Sequence, residues 1–427
     1  MPKKILIISP HFPPINAPDH QRVRMMLPYL TECGWQAHIL AVKPDSVQGV
    51  MDPFLSGSIP KDCQITYTDA LPIKYTRLIG IGTLGWRCLP FIFKAGSRLL
   101  KEQKFDLILF STTVFQVFSL GPPWLKKFGV PYIIDLQDPW LSPYQYKDPP
   151  GGKFKYGAAQ FFARIFEPPV MKDAAAIITV SPEYPKMLLK RYPFLNEDKF
   201  SVVPFGAPQK DFELLPSLGV RQDIFDPQDG KQHWVYVGRG GSDMAFSLRG
   251  LFSAVKTQRE KNPGLWKSIR LHFIGTSYAS RDRAQKTVEP IAQESGVGDL
   301  VEEYTTRVPY FEALKILCDS HCIMVIGSDD PAYTASKIFP YILAQKPLLA
   351  IFHEQSSAVR ILNESVNAQV AVFDSSFNSK VIEEKVSGRI DSLLSGGLKD
   401  RQEINWNAFN QYTAFEMTRR LCGVFQT

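Results

Sequence analysis

The sequence predicts an α/β fold made of two domains, each built on a doubly wound parallel sheet. Apolar strand-like runs alternate with helical patterns in both halves of the 427 residues, which is typical of parallel sheets covered by helices on both faces. A stretch rich in proline, glycine and charge separates the halves. The length suffices for two cores, so we expect two similar units facing each other across a cleft.

Six strands are predicted in each half from the apolar runs. In the first half they are residues 4–9, 36–42, 105–111, 131–137, 175–181 and 200–205. In the second half they are residues 233–238, 269–275, 300–304, 322–328, 347–352 and 368–373. This spacing predicts an N-terminal domain over 1–207, a linker over 208–231 and a C-terminal domain over 232–405.

The formal charge of +7 and the isoelectric point near 8.9 suggest an anionic partner. Nucleic acid is disfavoured because no long basic run interleaved with aromatic residues occurs. Residues 78–105 are apolar but interrupted by Arg87, Lys94 and Arg98, so they cannot span a bilayer. An ordinary helix facing the core and a face that touches a membrane both remain open.

The first residues pass from two lysines directly into a strand-like pattern, without the features of a signal peptide. We therefore expect a cytoplasmic protein, either free or bound peripherally at the inner membrane face. Cys318 and Cys322 flank His321, but no second ligand pair completes a tetrahedral site. The sequence indicates buried thiols there and no metal.

Ligands of open parallel sheets bind at the carboxyl ends of the strands, so the loops there hold the candidate site. The loop after the first strand and the first turn of the predicted helix that follows carry His11, His20, Arg22 and Arg24. Burying these basic side chains costs free energy unless water or a bound ligand contacts them. The alternative is a rigid loop in which Asp19 caps the next helix.

The loop after the fourth strand, "DLQDPW", carries Asp135, Asp138 and Trp140. A carboxylate in this place can act as a base or orient a sugar hydroxyl. The neighbouring indole suits the apolar face of a sugar ring. Capping by the acids and core packing of the indole are equally open interpretations.

A strand, a glycine turn and a helix follow one another in "VYVGRGGSDMAFSLRGL", where Gly238 and Gly240 flank Arg239 and the helix carries Arg249. Free N–H groups at a helix start and arginine side chains both favour phosphate. This order of elements therefore predicts an anion held between loop and helix.

A second loop-to-helix junction, "SDDPAYTASKIF", presents Asp330, then Ser336 and Lys337 at a predicted helix start. Lys337 would add a point charge beside the free N–H groups. Together with Arg239 and Arg249, it makes three cations that we expect to converge on one anion. For each cation alone, surface solubility is the simpler explanation.

The chain resembles the GT-B glycosyltransferases, in particular the retaining nucleotide-sugar enzymes of family four. The resemblance covers nearly the whole length. It rests on the order and spacing of "ILIISPHFPP", "YLTECGWQAHILAV", "YIIDLQDPW", "AAAIITVSPEY", "SVVPFGAP", "VYVGRGG", "SLRGL" and "SKIFPYILAQKPLLA". It implies that the last segment, 406–427, forms a helix that returns to the first domain.

The resemblance also assigns roles. It implies that Arg239 and Arg249 hold the donor diphosphate, although a lysine is more usual in place of Arg249. Ser336 and Lys337 resemble the loop and helix start that bind phosphate or ribose, and Gly275 the turn beneath the base. Arginine can stabilise a departing diphosphate without a metal, and the nucleotide sugar is a substrate rather than a cofactor.

This sequence departs from the family pattern at several positions. Two glutamates usual in the family fall on Ala332 and Pro340, so ribose binding needs a substitute such as Asp329 or Asp330. The glycine pair of the first loop is replaced by "INAP", and the histidine usual after the third strand is absent from "FSTTVFQVFS". Donor geometry or activity is expected to differ accordingly.

The sequence thus predicts transfer of a sugar from a nucleotide donor, a uridine diphosphate sugar, to a glycan or glycolipid acceptor. The acceptor would enter along the loops that carry His11, Asp135 and Asp138. Retention of the anomeric configuration is implied by the resemblance alone. A nucleotide-sugar 2-epimerase and a non-catalytic nucleotide-sugar-binding protein are the alternatives.

Overall fold

The computed structural model describes residues 2–141, 152–277, 279, 283–330, 337–374, 376, 378–396 and 402–426. The chain divides into two compact units. Unit 1 comprises Met1–Gly206 and Ala414–Thr427, and unit 2 comprises Ala207–Thr413.

The strands of the described residues are numbered along the chain. They are β1 (Lys3–Ile8), β2 (Ile15–Asn16), β3 (Trp35–Val42), β4 (Val50–Met51), β5 (Gln64–Thr68), β6 (Leu107–Ser111), β7 (Tyr132–Leu136), β8 (Ala176–Thr179), β9 (Phe200–Val202), β10 (Gln232–Val237), β11 (Ile269–Ile274), β12 (Val301–Tyr304), β13 (Cys322–Ile326), β14 (Leu348–His353) and β15 (Gln369–Phe373).

The α-helices are numbered in the same way, and short 3₁₀ turns join several of them. The helices are α1 (Gln21–Leu30), α2 (Phe54–Gly57), α3 (Ile73–Thr76), α4 (Leu84–Glu102), α5 (Gly121–Phe128), α6 (Lys153–Asp173), α7 (Glu183–Arg191), α8 (Gln209–Leu214), α9 (Ala245–Lys261), α10 (Pro263–Trp266), α11 (Glu289–Glu294), α12 (Tyr310–Asp319), α13 (Ile338–Leu343), α14 (Ser357–Ser365), α15 (Ser379–Ser395), α16 (Trp406–Phe409) and α17 (Ala414–Val424).

Unit 1 is built on a seven-stranded sheet in the order β5-β3-β1-β6-β7-β8-β9, with all neighbouring strands parallel. Successive side chains of a strand point to opposite faces. Leu6 and Ile8 of β1 accordingly pack with α4 and α5, and Ile5 and Ile7 with α1 and α17. Both faces of the sheet are therefore covered.

Unit 2 contains a six-stranded parallel sheet in the order β12-β11-β10-β13-β14-β15. Its central strand, β10, lies between β11 and β13. The loops that follow these three strands are consequently neighbours at the carboxyl edge, which is the edge where ligands of open α/β sheets bind.

The predicted α/β class with two parallel sheets is confirmed, and all twelve predicted strands are present. The prediction omitted β5, an edge strand, and the antiparallel pair β2 and β4. The contacts place the segment 208–231, with α8, in unit 2. Within 406–427, α16 belongs to unit 2 and α17 to unit 1.

The apolar segment 78–105 forms α4 and the turn before it. Cys88, Ile92 and Leu99 are buried, whereas Phe93, Lys94 and Arg98 face outward. Most of the apolar surface of α4 thus belongs to the core. Among the described residues, no helix is long and apolar enough to cross a bilayer.

Candidate functional site

The loop after β10 is shaped by glycines that permit close approach of other side chains. A Cβ at Gly238 would lie 2.4 Å from Nζ of Lys337, and one at Gly240 would lie 2.4 Å from Oγ1 of Thr287. Heavy atoms do not approach this closely, so a larger residue would displace Lys337 or the loop carrying Thr287. Gly238 and Gly240, both singled out in the sequence, therefore leave the room that the side chains of Lys337 and Thr287 occupy against this loop.

Arg239, between these glycines, forms a two-bond ion pair with Asp243. Nη1 donates to Oδ1 at 2.8 Å and Nη2 to Oδ2 at 2.6 Å. The hydrogen bonds from Arg239 lower the pKa of Asp243 to about 2. The pair fixes the direction of the guanidinium and leaves the loop with a charged, half-exposed group at the sheet edge.

Lys337 lies beside this pair, immediately before α13. Its Nζ donates to the hydroxyl of Tyr236 at 2.7 Å and lies 4.7 Å from the centre of the Tyr236 ring. The same hydroxyl donates to the carbonyl of Arg239 at 2.8 Å. Tyr236 thus connects the backbone of the glycine loop to the amine of Lys337.

The surroundings of Lys337 disfavour its positive charge. Burial, followed by the charge of Arg239 and then of Arg307, lowers the pKa of Lys337 to about 7, while Asp243 acts in the opposite direction. An amine held among like charges gains most from an incoming anion. Lys337 and Arg239 therefore form a pair of basic side chains at the carboxyl edge of the unit 2 sheet, called the cationic pair below, in which an incoming anion would restore the charge of Lys337.

Arg307 is a residue of this site that the sequence analysis did not select. It follows β12, and its Cα lies 3.6 Å from the position of a Cβ on Gly275. Gly275 itself has φ +73, a left-handed conformation that glycine adopts without strain. A cation after a strand end was the available signal, but only the folded structure shows that the charge of Arg307 acts on Lys337.

Arg249 occupies the first turns of α9, and its guanidinium is exposed and 3.7 Å from Glu294. The charges that act on Lys337 are those of Arg239, Arg307 and Asp243. Of the three predicted cations, the structure thus brings Arg239 and Lys337 together, whereas Arg249 pairs with a carboxylate of α11.

The loop after β13 meets the glycine loop through Asp329, whose N–H donates to the carbonyl of Asp243 at 2.9 Å. Asp330 follows, and its N–H donates to Oγ of Ser328 at 3.2 Å. Ser336 and Ala332 lie outside the described residues. Pro340 lies within α13.

Glu303 is a second residue that the sequence analysis missed. This buried carboxylate accepts hydrogen bonds from Oγ1 of Thr276 at 2.6 Å and from the N–H groups of Thr287, Val288 and Glu289 at 2.9–3.1 Å. Thr276 and Thr287 are also the side chains that would meet a Cβ on Gly240. Glu303 therefore positions the loop that borders the glycine turn.

A second group of predicted residues lies at the carboxyl edge of the unit 1 sheet. Nδ1 of His11 is 2.9 Å from Oδ2 of Asp19, which also accepts a hydrogen bond from Oγ1 of Thr112 at 2.6 Å. Asp19 is only 2% exposed. Although burial opposes it, the hydrogen bond and charge of His11 lower the pKa of Asp19 to about 2. Asp19 thus orients His11.

Asp19→Asn is expected to remove part of the acid sensitivity of unit 1. The ordinary carboxyl pKa is 3.8 and that of Asp19 in the fold is about 2. Such a group stabilises the fold above its unfolded pKa, and this contribution disappears as pH falls through the folded pKa. From about pH 6 to about pH 3, wild type should lose about 1 kcal/mol that the variant keeps.

Urea unfolding at the two pH values measures this difference. Asp62→Asn, at an exposed acid of the same unit, is the matched control and should follow wild type. Equal acid sensitivity of the Asp19 variant and wild type would contradict the assigned role of Asp19.

Asp135 is fully buried and forms an ion pair with Nε of Arg22 at 2.9 Å. Its Oδ2 also accepts hydrogen bonds from Oγ of Ser111 at 2.6 Å and from Nε2 of Gln137 at 3.1 Å. This placement favours a structural role for Asp135 over contact with a substrate.

Arg22 and Arg24, in the first turns of α1, are likewise buried. Asp135 and the carbonyl of Val203 contact Arg22. Gln21 and Ser58 contact Arg24, so both guanidinium groups have partners inside unit 1.

Asp138 and Trp140 differ sharply in exposure. Asp138 is exposed, and partial removal from water together with the charge of Asp19 raises its pKa. Trp140 is buried, and its ring stacks on Phe115 at 6.0 Å and meets Phe118 edge-on at 5.7 Å. Of the two open interpretations of the indole, the structure shows core packing, whereas Asp138 is accessible.

No family model matches the chain, and no curated protein matches it by sequence. Several solved structures share its fold. HepE from Anabaena, in complex with UDP and glucose, matches with a TM-score of 0.56 and 14% identity over 99% of both chains. A UDP-forming trehalose-phosphate synthase from Burkholderia xenovorans matches with a TM-score of 0.55 and 13% identity, over 100% of this chain and 99% of the other.

A proposed UDP-N-acetylglucosamine 2-epimerase from Listeria monocytogenes matches with a TM-score of 0.54 and 10% identity, over 100% of this chain and 96% of the other. At such identities, these likenesses show the fold alone, and function has to be argued from the site. The fold is the GT-B fold, as the resemblance in the sequence implied.

Proposed function

We propose that this protein is a glycosyltransferase that moves a sugar from a uridine diphosphate sugar to a glycan or glycolipid acceptor. The observation that carries the proposal is the cationic pair of Arg239 and Lys337 at a glycine loop after the central strand of unit 2. The GT-B fold supports it, as do the UDP ligand of HepE and the UDP-forming reaction of the synthase.

In the proposed reaction, Arg239 and Lys337 bind the diphosphate and stabilise the negative charge that grows on it as the sugar leaves. Arg307 adds a third charge next to them. Arg239 has to bind the phosphate while it is paired with Asp243 at 2.6 Å, or give up that pair. Arg249 remains a candidate from the resemblance and has to leave Glu294, at 3.7 Å, to reach a phosphate. Three protein cations supply the charge stabilisation here, so the proposed mechanism does not use a metal.

We assign the acceptor side to unit 1, where Asp138 is exposed and Asp19 orients His11. Asp138 or His11 accepts a hydrogen bond from the acceptor hydroxyl, and the raised pKa of Asp138 suits a group that takes up a proton. Asp135 is a positioning residue: it is paired with Arg22, and through Gln137, which also donates to the carbonyl of Asp19, it supports the His11–Asp19 pair. Retention of configuration remains an expectation from the resemblance.

A thermal-shift screen of nucleoside diphosphates and nucleotide sugars tests the donor site. A ligand that binds only the folded state raises the melting temperature, by about 3–5 °C near saturation. We expect stabilisation by UDP in wild type and its loss in Arg239→Ala. Arg259→Ala is the matched control, because Arg259 pairs with Asp299 at 2.7 Å on the surface of the same unit.

Stabilisation that survives in Arg239→Ala would place the nucleotide elsewhere, and no stabilisation by any nucleotide would overturn the donor site. The epimerase alternative is supported by the Listeria structure. It predicts consumption of the nucleotide sugar without an acceptor, whereas the transferase requires one.

A further inference from the structure

Helix α6 of unit 1 exposes an apolar face that does not belong to the core. Phe154 is 90% exposed, Phe161 61%, Phe162 41% and Ile165 50%. Large apolar side chains in a contiguous exposed patch mark an interaction surface. These four residues are called the α6 apolar face below.

The opposite side of α6 is firmly attached to unit 1. Ala163, Val170 and Met171 are buried in the core. Glu167 accepts hydrogen bonds from Nη1 of Arg191 at 2.9 Å and from the Tyr192 hydroxyl at 2.5 Å. The helix is therefore held from behind. At one edge of the face the ring of Phe162 also meets that of Trp86 in α4, with ring centres 5.1 Å apart, whereas Phe154, Phe161 and Ile165 are at least half exposed.

Basic residues border the α6 apolar face on both sides. At about 100° per residue, the four apolar side chains fill an arc of about 100°. Lys153 and Arg164 lie next to one edge of this arc and Lys155 next to the other, and all three are exposed. No aspartate or glutamate occurs from residue 153 to residue 166. The face therefore complements an anionic surface.

We propose that the α6 apolar face docks this protein on an anionic lipid membrane. A helix that lies in a membrane interface buries its apolar arc at the headgroup boundary, while lysine and arginine at the arc edges contact anionic headgroups. At 78–105 the sequence left open a core-facing helix and a membrane-touching face, and in the structure most apolar side chains of α4 face the core. The proposal does not rest on the proposed transferase activity.

A second copy of the chain fits this face less well. In a two-fold dimer, the same patch of both copies meets. The three basic residues of each copy would then face those of the other without an intervening acid. Lipid headgroups instead supply the negative charge that this arrangement needs.

Sedimentation of the full-length protein with vesicles tests the proposal. We expect binding to phosphatidylcholine vesicles that contain about one third phosphatidylglycerol and much weaker binding to phosphatidylcholine alone, because each basic residue near an anionic bilayer adds about fivefold to the partition coefficient. Added salt should weaken this binding.

Two sets of variants separate the apolar and the electrostatic contributions. Phe154→Ser, Phe161→Ser and Ile165→Ser combined should reduce partitioning at least about tenfold. Lys153→Gln, Lys155→Gln and Arg164→Gln combined should reduce it about a hundredfold on anionic vesicles. Phe194→Ser, at a 49% exposed aromatic residue elsewhere in unit 1, is the matched control and should bind like wild type.

All variants should keep the melting temperature of wild type, because the substituted side chains are exposed. Absence of binding to anionic vesicles would overturn the proposal, as would a serine variant that binds like wild type. A wild-type dimer that the serine variant dissociates, without vesicle binding, would assign the face to a second copy instead and likewise overturn it.

Discussion

Binding of UDP at about pH 8 is expected to take up close to one proton, because Lys337 regains its charge beside the diphosphate. In the ligand-free protein, burial and the charges of Arg239 and Arg307 lower the pKa of Lys337 to about 7. Most of the amine is then neutral at about pH 8. A diphosphate adds negative charge next to the amine and raises its pKa again.

The sign of the pH dependence follows from this shift. Between about pH 6 and 7, Lys337 is largely protonated in the free protein and the terminal phosphate of UDP is still largely dianionic, so the affinity for UDP is highest there. As pH rises above about 7, the free protein loses the proton that the complex keeps. The affinity should then fall about tenfold per pH unit until the pKa of the bound state is reached.

Isothermal titration calorimetry in two buffers of different ionisation enthalpy, Hepes and Tris, measures the proton uptake. Lys337→Arg is the matched control, since arginine stays charged in this range, and it should bind without proton uptake. Lys337→Met should lower kcat/KM about 10²- to 10³-fold, as removal of a charge-stabilising donor does. Tight binding to wild type without proton uptake would contradict the role of Lys337.

The predictability of the fold follows from how much of each strand is buried. The buried strands of both sheets are continuous apolar runs such as those of β1 and β13, and a run of this kind is visible in the sequence. β5, "QITYT", lies at the sheet edge and is only half buried. Its alternation of Ile65 and Tyr67 with threonine is typical of a half-buried strand, but the prediction relied on continuous apolar runs and therefore missed it.

The candidate site was partly predictable for a different reason. Arg239 and Lys337 follow strand ends directly, and glycines next to them signal close approach. Asp243 lies only four residues after Arg239, so their pairing is a local contact that the sequence analysis did not consider. Arg307 is distant in the chain, and only the folded structure shows that its charge acts on Lys337.

For Asp135 and Trp140, the sequence predicted the position after a strand but not whether the side chain is buried or exposed. Their position after a strand fits substrate contact as well as burial, and the sequence left both open. In the structure, both side chains are buried by residues distant in the chain. Arg22 pairs with the carboxylate of Asp135, and Phe115 and Phe118 pack against the indole of Trp140. Local patterns identify the strand end but not the side chains that close over it.

Arg22→Met is expected to destabilise the protein by about 3–5 kcal/mol, because it leaves Asp135 charged, buried and without its cation. Both side chains are 0% exposed. Nη2 of Arg22 also donates to the carbonyl of Val203 at 2.7 Å, and its guanidinium lies 4.7 Å from the ring of Phe205. The substitution therefore also loosens the segment after β9.

Urea unfolding of Arg22→Met, Asp135→Asn and the double variant measures the coupling between the two residues. Because asparagine carries no charge, the double variant should be more stable than the sum of the single effects predicts, by about 2 kcal/mol. Arg98→Met is the matched control, since Arg98 and Glu102 form an exposed pair at 4.0 Å, and it should cost less than about 0.5 kcal/mol.

The ion pair of Arg22 and Asp135 should also influence activity, through Asp19. Gln137 donates to both Oδ2 of Asp135 and the carbonyl of Asp19, so displacement of Asp135 alters the support of the His11–Asp19 pair. If Asp135 acts only through this support, Asp135→Asn should retain much of kcat, because asparagine preserves the shape and one acceptor. A loss of kcat of about 10³-fold in a variant that stays folded would instead return Asp135 to direct contact with the substrate.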